Sequence, residues 1–323
     1  MHIPDNQYIN RVNHYKNTIN HMHDLKANFD KILMITNQAL SDKLDTDGNL
    51  QVYPRKPKLS DNEIIALSIC QECLSIDSEN WLLAKLKSDY PAAFPRLIHI
   101  TNYNKRRKRL ALWVQEVNKV LAAPLTEGEN AFIVDSIPVP VCKIVREKQL
   151  KVCRQNFETA PDKGYSAVYK QYYMGYKLHL LIGVNGVYAD MEITKASVHD
   201  AKYLHEVKHC GISQCLLLGD KGYISEQWQV DLFTSAGIEL QAPKRSNQKD
   251  YKPWPGIFKY TRKRVEVYFS QLCDQMMVKR NYAKTFHGLK TRIIAKVTSV
   301  TILQYINSLN GKPINHIKHA LAA

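Results

Sequence analysis

With 323 residues and a 45% hydrophobic fraction, the chain can bury a sizeable core and has room for two domains. Nothing in it approaches the roughly 18 unbroken apolar residues of a membrane span, and the opening MHIPDNQYINRVNHYKN lacks the apolar stretch of a secretory signal, so a cytoplasmic protein is expected. Its 45 Lys and Arg against 30 Asp and Glu give a net charge of +15, which favours a densely negative partner such as nucleic acid.

The first 40 residues read as mostly helical, and SDKLDTDGNLQVYPRKPKL (41–59) as a polar linker. Ser60 with Glu63 forms a capping box ahead of Ile64, Ile65, Leu67 and Ile69, so a helix starts there. The CxxC of Cys70 and Cys73 falls on this helix. No second pair stands at zinc-finger spacing, and with seven cysteines and no secretion signal they read as free thiols. A second helix begins at Ser78, carries Trp81, Leu82 and Leu86, and stops at Pro91, and a third runs from about Thr101 to Leu121. Two short capped helices before a basic one fit a helix-turn-helix or a plain helical bundle equally well. The run KRRKR (105–109) favours DNA, because five adjacent cations repel unless an anion offsets them. Lys105, Arg106 and Arg107 are therefore candidate phosphate contacts on the solvated start of a helix.

From about residue 130 the period changes from helix to strand. AFIVD (131–135) is an apolar run ending in a carboxylate, and the basic KIVREKQLKVCR (143–154) reads as a loop. MGYKLHLLIGVNGVYADMEIT (174–194) gives two strands around Asn185-Gly186, a type I′ hairpin signal. A helix is expected from Asp200 to about Lys208, entered through a Ser197-x-x-Asp200 cap and closed at Gly211. CLLLGD (215–220) is a buried strand ending in Asp220, followed by a helix over 225–235 and a strand over 238–243.

Asp135 and Asp220 each close an apolar strand, where a bare charge is costly to bury. Either alone is equally well a turn former. If the two strands are neighbours, however, the carboxylates stand side by side and repel, and a hard cation such as Mg²⁺ or Mn²⁺ relieves that. A third oxygen donor is available in FKYTRKRVEVYFSQLCDQMM (258–277), whose apolar stripe is Val265, Phe269, Leu272 and Met276. Glu266 sits at the edge of that stripe, with Arg262 one turn earlier, placed to orient the Glu or take a phosphate.

IVDSIPV around Asp135, LLGDKGY around Asp220, Arg262-x-x-x-Glu266-x-x-Phe269 and the run ITKASVHDAKYL (193–204) together resemble a bacterial insertion-sequence transposase of the DDE type over about residues 130–305. The resemblance implies an α/β fold in which an RNase H-like mixed sheet with flanking helices follows an all-α N-terminal domain. It implies a DNA transposase, and metal-ligand and catalytic roles for Asp135, Asp220 and Glu266 with two Mg²⁺ or Mn²⁺ ions. The expected partners are double-stranded DNA, as element ends with inverted repeats and as target, and a second copy of the chain as a homodimer on DNA. A bacterial, nucleoid-associated location follows. Where some members carry a Tyr three residues before the Arg and a Lys seven after the Glu, this chain has Lys259 and Cys273.

The expected division is a helical DNA-end-binding domain over 1–125, the catalytic domain over 126–310 with a basic insert at 243–264, and a tail over 311–323. Within the insert, Lys244, Arg245, Arg262 and Arg264 are candidate DNA contacts, and Trp254 between two prolines is either a stacking wedge or a pin to the core. His199, heading a helix, is either a cap or a partner to the metal ligands. The rival readings are an RNase H-like nuclease or resolvase without strand transfer, and a non-catalytic DNA-binding regulator.

Overall fold

The computed structural model describes residues 24–168, 170–244, 251 and 253–321, in two compact units: residues up to Val117 together with those from Ile302 onward, and Asn118–Thr301. No helix among the described residues is long and apolar enough to cross a membrane.

The first unit is helical: α1 (Leu25–Ala39), α2 (Asp61–Cys73), α3 (Glu79–Asp89), α4 (Ile100–Arg109) and the start of α5 (Ala111–Ala122). The capping box forms as the sequence dictates. Ser60 Oγ accepts from Glu63 N, and Glu63 returns the bond to Ser60 N. Ser78 caps α3, and α3 ends at Asp89, ahead of Pro91. All seven cysteines are free, with Cys70 buried on α2. The third predicted helix is two, broken at Leu110.

The basic run on α4 departs from its expected exposure. Lys105 is exposed, but Arg107 is 3% exposed and binds Glu72, Glu79 and Ser68 at 3.0, 2.7 and 2.7 Å. Arg106 is held by Asp61 at 2.6 Å and by the Leu59 carbonyl. The repulsion that suggested an external anion is offset within the helical unit, so the surface reading is corrected for Arg106 and Arg107. Residues from Ile302 onward add the end of α9 (Phe286–Leu309), where Asn307 Nδ2 donates to the carbonyls of Pro313, Ile314 and His316. α9 has no amphipathic period because it is buried on nearly every side, Lys296 and Thr298 included.

The second unit is built on a six-stranded mixed sheet: β1 (Ala131–Lys143), β2 (Asp162–Ser166), β3 (Gln171–Gly183), β4 (Tyr188–Lys195), β5 (Leu216–Leu218) and β6 (Glu239–Gln241). Its order is β2-β3-β1-β5-β6, with β4 also paired to β3. The first four strands are antiparallel, whereas β5 and β6 run parallel to β1 through α6 (Leu204–Val207) and α7 (Glu226–Ala236). This is the RNase H-like mixed sheet expected. On one face Val134, Leu181, Leu217 and Leu240 pack with Tyr203, Leu204 and Leu232. Truncating Leu232 there to Ala costs about 2–5 kcal/mol.

Two local features differ from expectation. β1 does not end at Asp135 but continues to Lys143 through Pro138 and Pro140. It pairs with β3 along its length but with β5 only over Ala131–Ile133, so prolines without N–H groups are tolerated beside its open edge. At the bulge after Pro140, Gly175 is required, since a Cβ there would lie 2.4 Å from the Val139 carbonyl oxygen. The Asn185-Gly186 hairpin forms, but Gly186 alone of the two has positive φ (86°). Gly186 N closes onto Gly183 O at 2.8 Å, which makes a turn followed by a glycine bulge rather than type I′.

Candidate active site

β1 and β5 are adjacent and parallel, with Ile133 opposite Leu218. Asp135 and Asp220 each lie two residues beyond that pair. Asp220 is still extended (φ −87°, ψ −176°), so the strand period turns both carboxylates to one face at one end of the sheet. That is the face opposite Val134 and its core. The side chain of Asp135 is 19% exposed. Burial pushes its carboxyl up to about 6, the neighbouring Asp220 adds to the rise, and Arg262 pulls the other way.

Helix α8 (Gly256–Asp274) covers this face, burying Val265, Tyr268, Phe269 and Leu272. Arg262 on α8 donates to Asp135 Oδ2 at 2.9 Å, while Asp135 Oδ1 accepts from Ser136 N at 2.8 Å. The arginine thus pairs with the aspartate rather than with Glu266. Glu266, one turn on, is exposed and lines with Arg262 an adjoining cleft of about 320 Å³, whose walls include neither Asp135 nor Asp220. Four cations line it, Lys221, Lys244, Lys259 and Arg262, together with Trp254 and Tyr251. Trp254 is half-buried, its ring 6.0 Å from the Arg262 guanidinium carbon and 5.8 Å from the Phe258 ring. The Arg262 Nε and Trp254 Nε1 donors are buried with no acceptor among the described residues. Two such donors beside one cleft suit an anion. Arg264 is exposed on α8, and Arg245 lies outside the described residues.

Asp220 is also the cap of the turn Lys221–Tyr223, its Oδ1 accepting from Gly222 N at 2.7 Å. The turn former and the candidate ligand are one residue. Two hard oxygen donors on neighbouring strands suit a Mg²⁺-like ion. Glu266 does not close the set: among the described residues no group of three His, Cys, Asp or Glu side chains stands close enough to hold a metal.

On the opposite face lies an arrangement the sequence reading missed. Asp200 Oδ1 accepts from Ser136 Oγ at 3.2 Å and from Lys177 Nζ at 2.9 Å. A Cβ on Gly222 would sit 3.2 Å from Asp200 Oδ2 and 3.0 Å from Asp220 Oδ1. Asp200 therefore braces the neighbour of Asp135 against the turn that follows Asp220. Beside it, His179 is fully buried, 2.9 Å from Thr194 Oγ1 and 3.4 Å from the Tyr223 hydroxyl, and burial lowers its pKa to about 4, so it stays neutral. The signal for Asp200 was the His-Asp pair, read only as a helix start. The expected Ser197 cap is replaced by His199, whose Nδ1 accepts from Ala201 N at 3.3 Å, and Ser197 Oγ bonds Asp162 instead. The helix it opens is short, Asp200–Tyr203 as a 3-10 turn and then α6.

Residues 126–302 match the family described as a transposase DDE domain. The comparison with curated proteins gives no match.

Proposed function

This chain belongs to the DDE transposases of insertion sequences, and from that premise we propose that it cuts DNA at the ends of its own element and joins them to a target. The observation that carries the reading is that Asp135 and Asp220 each follow the last paired residues of β1 and β5 by two positions, near a cleft whose buried donors, Arg262 Nε and Trp254 Nε1, have no acceptor among the described residues.

In this reading Asp135 and Asp220 hold divalent metal, Mg²⁺ or Mn²⁺, and Glu266 completes the set. Two such ions, when bound, activate a water or 3′-hydroxyl and offset charge on the leaving oxygen. Glu266 is exposed on the wall of the cleft and would join Asp135 and Asp220 by a change of side-chain position. Arg262 releases Asp135 and takes a phosphate oxygen, with Lys221, Lys244 and Lys259 along the strand and Arg264 nearby. Trp254 supplies an aromatic surface beside the backbone. Lys177 and Asp200 hold Ser136 and the Asp220 turn in place. The helical N-terminal region, with Lys105 exposed, is assigned to recognition of the element ends. Two copies act together, because two ends must meet in one complex.

The test is strand cleavage by the full chain with Mg²⁺ or Mn²⁺ on DNA carrying the inverted repeats. Cutting confined to the ends supports the proposal. Cutting of any duplex favours a plain nuclease, and binding without metal-dependent cutting favours a regulator.

A further inference from the structure

The segment between β1 and β3 takes no part in the site above, yet it carries exposed aromatic and cationic side chains together. Tyr165 on β2 and Tyr172 on β3 are register partners across the hairpin, each 52% exposed, with ring centroids 5.1 Å apart. Lys163 Nζ sits 4.4 Å from the Tyr172 ring centroid. Next to Tyr172 on the same strand face, Met174 pairs with Cys142, and Arg146 and Arg154 follow Cys142 in the segment between β1 and β2, together with Glu147. Both arginines are exposed. Lys163 thus stands against two wet aromatic rings on the β2–β3 hairpin, and the exposed Arg146 and Arg154 lie in the segment that leads into it. Exposed aromatic rings cost solvation unless something covers them, and this charge selects a polyanion.

The register fixes where this patch lies relative to the aspartates. Asp135 pairs with Leu180, and Tyr172 is eight positions further along β3, an even number, so both are on one face of the sheet. Eight residues of strand span about 27 Å, close to eight base-pair steps of B-form DNA.

We propose that this face of the β2–β3 hairpin is a second docking surface for duplex DNA, holding phosphates about eight base pairs from the position being cut. Lys163, Arg146 and Arg154 neutralise phosphates, and the Tyr165 and Tyr172 hydroxyls donate to phosphate oxygens, so the contact is independent of sequence. The inference rests on the proposed function only in taking DNA as the substrate.

The test is binding of the full chain to a labelled random-sequence duplex of about 30 base pairs, measured by anisotropy in EDTA over a salt series. Lys163→Gln/Arg146→Gln/Arg154→Gln is expected to flatten the dependence of log Kd on log salt by about 2 to 3. Tyr165→Phe/Tyr172→Phe, which keeps the rings, is expected to weaken binding several-fold. An unchanged salt slope in the triple variant, with a folded circular dichroism spectrum, overturns the proposal. So does a loss of self-association with the slope intact, which would assign the face to a second copy. Lys259→Gln in the cleft is the parallel control. A flatter slope there alone sinks only the hairpin surface, whereas a wild-type chain that binds no duplex sinks the proposed function as well.

Discussion

Arg262 reaches Asp135 at 2.9 Å across 127 residues of chain, from the helix that carries Glu266 to the strand that carries the first aspartate. The guanidinium places a positive charge beside the carboxylate of Asp135, against the rise that burial and Asp220 impose on it. On the proposed function Asp135 would help to hold a metal that supplies Lewis-acid chemistry, and Arg262 would then be free to take a phosphate oxygen.

Removing the arginine should therefore move the aspartate. Because Arg262 pulls the Asp135 carboxyl down against burial, Arg262→Met is expected to raise it above its value of about 6. Titration of the aspartate side-chain carboxyl by NMR measures this directly. A value that stays or falls contradicts the pairing.

The raised pKa also sets a sign for stability. An acid whose folded pKa lies above the model value of 3.8 binds protons more tightly when folded, so its contribution is present at low pH and is lost as pH rises through about 6. At about 1.4 kcal/mol per unit, the difference in unfolding free energy between wild type and Asp135→Asn should fall by roughly 3 kcal/mol between pH 3.5 and pH 7. Urea unfolding at several pH values tests it, and a difference that grows with pH refutes it. Metal ligands must also be deprotonated, so cleavage is expected to rise through the same window.

The basic run on α4 separates two kinds of cation. Arg107→Met removes the buried charge that binds Glu72 and Glu79 and should cost about 3–5 kcal/mol in chemical denaturation. Lys105→Gln, at an exposed position, should change stability by less than about 0.5 kcal/mol. Equal effects would mean that Arg107 is not the buried strut described.

Gly222 tests the brace beneath the aspartates. Its φ is not in the left-handed region, so an added methyl acts by contact alone, against the Asp200 and Asp220 carboxylate oxygens. Gly222→Ala should lower metal-dependent cleavage tenfold or more while changing the midpoint of unfolding little. Full activity in the variant would show that the two carboxylates need not be held so closely.

How far the sequence reads depends on what each residue answers to. The Ser60–Glu63 capping box, the apolar strands and the stripe of Val265 and Phe269 are local patterns, and they marked α2, β5 and α8 directly. β1 was cut short because Pro138 and Pro140 argue against a strand, and only the missing β5 neighbour beyond Ile133 makes them tolerable. α9 was unreadable because total burial erases its period. The site split along the same line: Asp135 and Asp220 carried a local cost that flagged them, whereas Asp200 and Lys177 matter through contacts 64 and 23 residues away. The buried fate of Arg107 likewise depends on Glu72 and Glu79, which no run of charges reveals.

The central claim is that Asp135 belongs to a metal-dependent DNA-cutting centre. The most direct measurement compares wild type and Asp135→Asn on one labelled duplex carrying the element's terminal repeat, with and without Mn²⁺. Wild type should nick at the element end only when metal is present, and Asp135→Asn should bind with similar affinity but cut at least a thousandfold more slowly, on the scale of losing a catalytic group. Equal cutting by the two proteins, or cutting by wild type without metal, would contradict it.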